Sequence, residues 1–256
     1  MSFFNKMFAS IGIGSTTVDT KLYNDRLVAG EEVKGIVELT GGNVDQDIDS
    51  IYLSVKTTYI KEVNDTKVNR QVDIGKFKIN EPFTIKAGEA KEIPFSFELP
   101  IDTPVTMGKT KVWIQTGLDI KNAVDPSDKD YILVEPMPLT TAIFNSINEL
   151  GFRLREVESE QAPYSMKGRL PFIQEFEFFP TSGPFRGKLD ELELVFFPQS
   201  HDSVEVLMEV DRRARGLGGF LAEALEMDES IIRFTVTTND MDYLTQKMKE
   251  LIERYC

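Results

Sequence analysis

The sequence predicts a mainly β protein of two β-sandwich domains, with a short helix near the N-terminus and another at the C-terminus. Three observations lead there. Apolar and polar residues alternate through about seven short segments between Ser15 and Glu135, with turn residues between them. The alternation breaks at Pro136-Met137-Pro138 and resumes beyond it, where two prolines in three residues cannot continue a central strand. Helical spacing is confined to the start of the chain and to its last stretch. A length of 256 residues suits two ordinary domains of about 150 residues or fewer. The 18 phenylalanines are enough to supply a core to each. The expected domains are 1–136, with the N-terminal helix, and 137–256, with the late helices.

The elements follow in order. Phe4, Met7, Phe8 and Ile11 fall on one helical face, and Gly12 and Gly14 end that helix. It is read either as packing on its own domain or as docking on a partner or membrane surface. Strands are expected around Val33–Leu39, Ile51–Thr57, Val72–Ile79, Ile93–Leu99, Val112–Thr116 and Tyr131–Val134. Alternation means that each such strand buries one face and solvates the other. Beyond the double proline a β-rich stretch is expected from the apolar run Ala142–Leu150 onward. It continues through Phe152–Arg155, Phe172–Phe179, Leu189–Phe197, Val204–Val210 and Ile231–Thr237. Phe176–Pro180 and Leu194–Pro198 end alike, as two strands of one buried hairpin would. Phe220–Met227 reads as a short amphipathic helix. Asp240–Tyr255 reads as a longer one, with Met241, Leu244, Met248, Leu251 and Ile252 on its apolar stripe.

Composition excludes several functions. The net charge is −13, and both halves of the chain are acidic. No basic domain is present to displace counterions from phosphates, so nucleic-acid binding is not expected. The single cysteine, Cys256, permits neither an internal disulfide nor a cysteine zinc site, and one histidine, His201, permits no multi-histidine site. No apolar run is long enough to span a bilayer, and no signal peptide or myristoylation motif is recognisable. A cytoplasmic protein without cofactor or metal is expected.

Four constellations are candidate sites. Gly12-Ile13-Gly14-Ser15-Thr16 lacks the lysine and the preceding strand of a phosphate loop. His201-Asp202-Ser203 has hydrolase residue types but adjacent spacing, which places them in one turn rather than converging from separate segments. Asp45, Asp47 and Asp49 have the start of a calcium-loop spacing, but Ser50 and Lys56 stand where glycine and glutamate belong. Arg212-Arg213-Ala214-Arg215-Gly216-Leu217-Gly218-Gly219 is the densest basic cluster in an acidic chain. Arg212, Arg213 and Arg215 are therefore the candidate contact for an acidic protein partner. The alternative is a small-ligand or phosphate sensor, or an enzyme, using the Arg212–Gly219 loop. The stretch is equally consistent with a solvated connection between strand and helix.

Gly30-Glu31-Glu32-Val33-Lys34-Gly35-Ile36-Val37 and Ile93-Pro94-Phe95-Ser96-Phe97-Glu98-Leu99-Pro100, followed by Thr103-Pro104, resemble early strands of arrestin-like domains. The N-terminal Phe3-to-Thr20 segment resembles a narrower group, the bacterial sporulation-control protein family of the arrestin clan. So do the segments Glu175–Pro180 (E-F-E-F-F-P) and Glu191–Pro198 (E-L-E-L-V-F-F-P). The resemblance covers nearly the whole chain. It implies two arrestin-like sandwiches and a cytoplasmic regulator of sporulation that acts as a non-catalytic protein-interaction scaffold. Implied partners are proteins of the sporulation or cell-division machinery. Apart from the resemblance, the two late helices are read either as covering a sheet edge or as making a homodimer. No family motif assigns a binding residue.

Overall fold

The computed structural model describes residues 15–64, 66–121, 125–166, 168–212 and 231–255. The expected N-terminal helix and the expected helix at Phe220–Met227 lie outside them. The chain divides into two compact units. The first comprises Met1–Thr57, Gln71–Thr103 and Lys111–Glu135, and the second Thr58–Arg70, Pro104–Thr110 and Pro136–Cys256. One division falls at the double proline. Two short pieces of the preceding chain also group with the second unit.

In the first unit, β1 (Thr17–Leu22), β3 (Glu32–Thr40) and β7 (Ala90–Glu98) form an antiparallel sheet in the order β1-β3-β7. Alternation along β3 buries Val33, Val37 and Leu39, and β7 adds Phe95 and Phe97. Pro94, which cannot donate to a ladder, is tolerated because β7 is an edge. In a second sheet, the first part of β4 (Gln46–Val63) pairs with β8 (Val112–Ile120) and, on its other side, with β6 (Phe83–Ile85). β9 (Ser127–Glu135) lies antiparallel beside β8, and β2 (Arg26–Val28) parallel beside β9. The register aligns Leu53 with Thr116 and Val55 with Ile114, all buried. The two sheets meet where Thr20 Oγ1 lies 2.6 Å from Thr116 Oγ1. They also meet where Phe77, on β5 (Thr66–Lys78), stacks on Phe97 at 4.2 Å between ring centroids.

Strands β1, β2 and β6 depart from the expected pattern. β1 (Thr-Val-Asp-Thr-Lys-Leu) carries too little apolar alternation to reveal itself, and its inward residue Thr20 is polar. β2 and β6 have three residues each, too few for a period to register.

The second unit contains β10 (Phe152–Gln161), β11 (Phe172–Pro180), β12 (Leu189–Ser200), β13 (Ser203–Arg212) and β14 (Ile231–Thr237). Each pairs antiparallel with the next, and the look-alike segments of β11 and β12 do form one hairpin. The register stacks Phe176 beside Leu194 and Met208 beside Ile232 on one face. The layer over that face consists of helices, not a second sheet. α1 (Pro138–Glu149) buries Leu139, Ile143 and Ile147 there, and α2 (Leu244–Glu253) buries Leu244, Met248 and Ile252.

The β-rich expectation for Ala142–Leu150 is thus corrected to helix. Pro138 occupies the start of α1, where its missing N–H costs nothing. The i, i+4, i+8 spacing of Leu139, Ile143 and Ile147 is one helical face. Gly151 ends the turn at φ +97°, and a Cβ there would lie 2.3 Å from the Ser182 carbonyl oxygen. Thr245 Oγ1 ties α2 to α1 through Ser146 (3.2 Å) and Glu149 (2.8 Å).

Met241 is a second correction. Residues Thr238–Tyr243 form a 3₁₀ turn, not α-helix, so the 3.6-residue period starts only at Leu244. Met241 is 45% exposed, and Leu251 is half-buried against the core.

Candidate functional site: a glutamate face on the second unit

The residues of β10–β13 that do not face the helices are mostly acidic. Cross-strand register aligns Glu156 with Glu177, Glu177 with Glu193, and Glu193 with Glu209, one row across four strands. Glu158 pairs with Glu175 in the next row, and Glu191 with Asp211 on the other side. Like charges directly opposite one another oppose pairing. The apolar face of the same strands over-determines the register, because a one-residue slip would turn the phenylalanines outward.

Cations from neighbouring segments offset part of this charge. A bulge between Leu154 and Glu156 aims Arg155 at the face, where it pairs with Glu177 and with Glu191 (2.5 Å). Lys109 bridges Glu156 (3.0 Å) and Glu158 (2.7 Å), and Lys67 reaches Glu160 at 3.2 Å. Hydrogen bonds donated to the Glu158 and Glu156 carboxylates hold the Lys109 ammonium well above its ordinary pKa. Burial pushes Glu158 upward, but Lys109 and Lys67 outweigh it and leave its pKa low.

The interior of the row differs. Glu193 and Glu209 are 6% and 3% exposed. Burial pushes Glu175 up to about 7. A hydrogen bond with Glu193 works against that rise, while the charges of Glu160, Glu158 and Glu191 add to it. Glu177, Glu191 and Glu193 bring one carboxylate oxygen each within 4.8 Å of one another, a spacing chemically suited to a hard cation. Arg155 already occupies two of the three, so the residues present act first as an ion-pair network.

The sequence-singled residues fall elsewhere. Arg212 is the last residue of β13, opposite Leu189, and Arg213 and Arg215 lie outside the described residues. His201 and Asp202 form an exposed turn, and Ser203 begins β13, so the three do share one bend. Asp45, Asp47 and Asp49 all lie on an exposed side. Asp45 accepts the Ala87 N–H at 2.9 Å and pairs with Lys86 at 3.1 Å, while Asp47 accepts the Thr84 hydroxyl at 2.7 Å. Of the glycine-rich stretch, Gly12, Ile13 and Gly14 lie outside the described residues, and Thr16 donates both its N–H (2.8 Å) and its hydroxyl (2.9 Å) to the buried Gln46 side chain. The glutamate face was missed. Its only sequence signal is the Glu in every second place of E-F-E-F and E-L-E-L, which reads as the solvated half of a strand until the strands are aligned.

Comparison with known proteins settles the family. Residues 4–214 match the SpoOM protein family. The chain belongs to that family. The sporulation-control protein spo0M of Bacillus subtilis (strain 168) is 45% identical over 258 residues, spanning 100% of this chain and 99% of the relative. The crystal structure of Spo0M, sporulation control protein, from Bacillus subtilis aligns with a TM-score of 0.88 at 43% identity. That alignment covers 95% of this chain and 100% of the other. The mainly β class is therefore shared with a solved relative. Among the described residues, no helix is long and apolar enough to cross a membrane.

Proposed function

We propose that the chain is a non-catalytic regulator of sporulation that acts as an arrestin-like scaffold, binding protein partners in the cytoplasm. The observation that carries this reading is the end-to-end match to a sporulation-control protein at 45% identity. A shared regulatory role is the economical reading of similarity that leaves neither chain with an unmatched domain. The scaffold reading is supported by the candidate chemistries. His201-Asp202-Ser203 occupies one exposed turn, and the Asp45 and Asp47 carboxylates are already engaged.

Within this reading, Arg212, Arg213 and Arg215 contact an acidic partner. Arg212 ends β13, and the three are the densest run of positive charge in a chain of net charge −13. The test is replacement of the relative in Bacillus subtilis by this chain, with spores counted. Restored control of sporulation is expected, and a stably expressed chain with no effect overturns the reading. Replacing the three arginines by alanine should leave folding intact and weaken control. Full control by that variant removes them from the partner surface.

A further inference from the structure

Strand β9 breaks its own inward pattern. Its core-facing positions are Asp128, Asp130, Ile132 and Val134, because Asp128 pairs with Thr116, Asp130 with Ile114 and Ile132 with Val112. Those β8 partners are all buried. Two carboxyl groups therefore stand where the alternation calls for apolar side chains, on the side that faces β1. Asp128 is the better bound. Its Oδ2 accepts the backbone N–H of Thr20 at 2.7 Å, and its Oδ1 accepts the N–H of Lys129 at 2.8 Å. Asp130 half-buries its side chain, and its Oδ2 is a buried oxygen that accepts no hydrogen bond. A carboxylate oxygen in that position is penalised, whereas a protonated carboxyl can donate to Asp128 and leave the pair with one negative charge.

We propose that Asp128 and Asp130 form a proton-operated latch between β1 and β9, in which a proton on Asp130, shared with Asp128, holds Thr20 and the edge strand β1 against the second sheet. When Asp130 loses the proton, two charges face each other inside the sandwich, and the grip of Asp128 on the Thr20 N–H weakens. β1 is an edge strand with one sheet neighbour, β3, and Thr20 ties its middle to the second sheet through this contact and the Thr116 hydroxyl, while Thr16, just before the strand, is anchored separately on Gln46 of β4. Among the described residues, the other charged groups facing the pair are Asp19 and Lys21 on β1. Glu38 on β3 acts on Lys21, and β8 presents only Ile114 and Thr116. Burial first, then the charge and hydrogen bond of Asp128 and the charge of Asp19, push Asp130 up to about 6, against the pull of Lys21. A carboxyl whose pKa is raised on folding stabilises the closed form below its unfolded value and loses that contribution as pH rises through about 6. The latch is shut in mild acid and loosened at neutral pH.

The experiment follows the Thr20 amide by hydrogen exchange on the full chain between pH 5 and pH 8. Its protection is referred to that of the Leu99 amide, which is bonded to the Glu31 carbonyl in the same unit. Relative protection of Thr20 should fall by about tenfold, the equivalent of one pKa unit, and Asp130→Asn should abolish the dependence. An unchanged ratio in the parent, or the same fall in Asp130→Asn, overturns the latch. Should Asp130→Asn not fold, the Asp130 carboxyl carbon is titrated by NMR in the parent and in Asp128→Asn. A midpoint near 6 that drops on removing the Asp128 charge supports the latch, and an ordinary carboxylate midpoint in the parent overturns it.

Discussion

The sheet of the second unit has two faces made from alternate residues of the same strands, and they are held by opposite means. On one, Phe176, Leu194, Met208 and Ile232 lie under α1 and α2. On the other, Glu177, Glu193 and Glu209 stand in a row, offset by Arg155, Lys109 and Lys67 from outside the row. Burial of large apolar side chains, at roughly 1.5–3 kcal/mol each, sets the register on the helix side. The glutamate side accepts the register and its like-charge neighbours. The helix face carries the larger apolar core, and the other face combines its carboxylates with a smaller buried cluster of Ile173, Val195 and Leu207.

Breaking the helix side should have the largest effect. Leu244→Ala is expected to cost about 2–5 kcal/mol, because Leu244 is buried in the core between α2 and the sheet. Met241→Ala, three residues earlier and exposed, should change stability by less than about 0.5 kcal/mol. Chemical denaturation of both variants checks the pair. Equal losses would return Met241 to the apolar stripe and the 3₁₀ turn to α-helix.

Next is the capping box of the 3₁₀ turn that leads into α2. Asp240 accepts the N–H and hydroxyl of Thr237, the Tyr243 hydroxyl at 2.8 Å and the Lys247 ammonium at 2.9 Å. Burial opposes its charge, but these donors outweigh burial and hold its pKa far below the ordinary range. Asp240→Ala should cost about 0.5–2 kcal/mol, the range for a lost helix cap. Asp240→Asn keeps an acceptor and should cost less, and the order of the two melting temperatures is the check.

Much of this was legible in the sequence, and the failures have physical causes. Ile93, Phe95 and Phe97 announced β7 because one face of that strand is apolar and the other polar. Ala142–Leu150 was misread because a short apolar run does not distinguish a buried strand from a helix face; the decisive signs were Pro138 before it and Gly151 after it. The glutamate face was invisible because Glu156, Glu177, Glu193 and Glu209 are far apart in the chain, and only cross-strand register makes them neighbours. Asp128 and Asp130 carry no signal of their own, since apolar residues mark their strand only from Tyr131 to Val134.

The buried part of the glutamate face should respond to pH. Folding raises Glu175 to about 7, so its protonated form favours the folded state. That contribution is present below the unfolded value near 4.5 and is lost as pH rises through 7. Glu175→Gln, neutral at every pH, should be more stable than the parent by about 1–2 kcal/mol at pH 8 and close to it at pH 5. Parallel stability curves for the two proteins from pH 5 to 8 would show that Glu175 titrates like a solvated carboxyl.

The smallest effect is expected at Arg155, and its sign with salt makes it informative. Arg155 is half exposed and pairs with Glu177 and Glu191, so its removal should cost less than about 1 kcal/mol. The pair energy alone understates what is left behind. Without the guanidinium, Glu177 and Glu191 lose the cation they share and stand with Glu193 at carboxylate separations within 4.8 Å. Repulsion of that kind is screened as the Debye length shortens from about 8 Å at 0.15 M salt to about 3 Å at 1 M. Arg155→Gln should therefore be less stable than the parent at low salt and should recover towards it as salt is added. A structural role for the arginine stem in the Leu154–Glu156 bulge would give a loss that salt does not repair. No loss at low salt would mean that the glutamate face is held by backbone geometry, and that its cations are incidental to it.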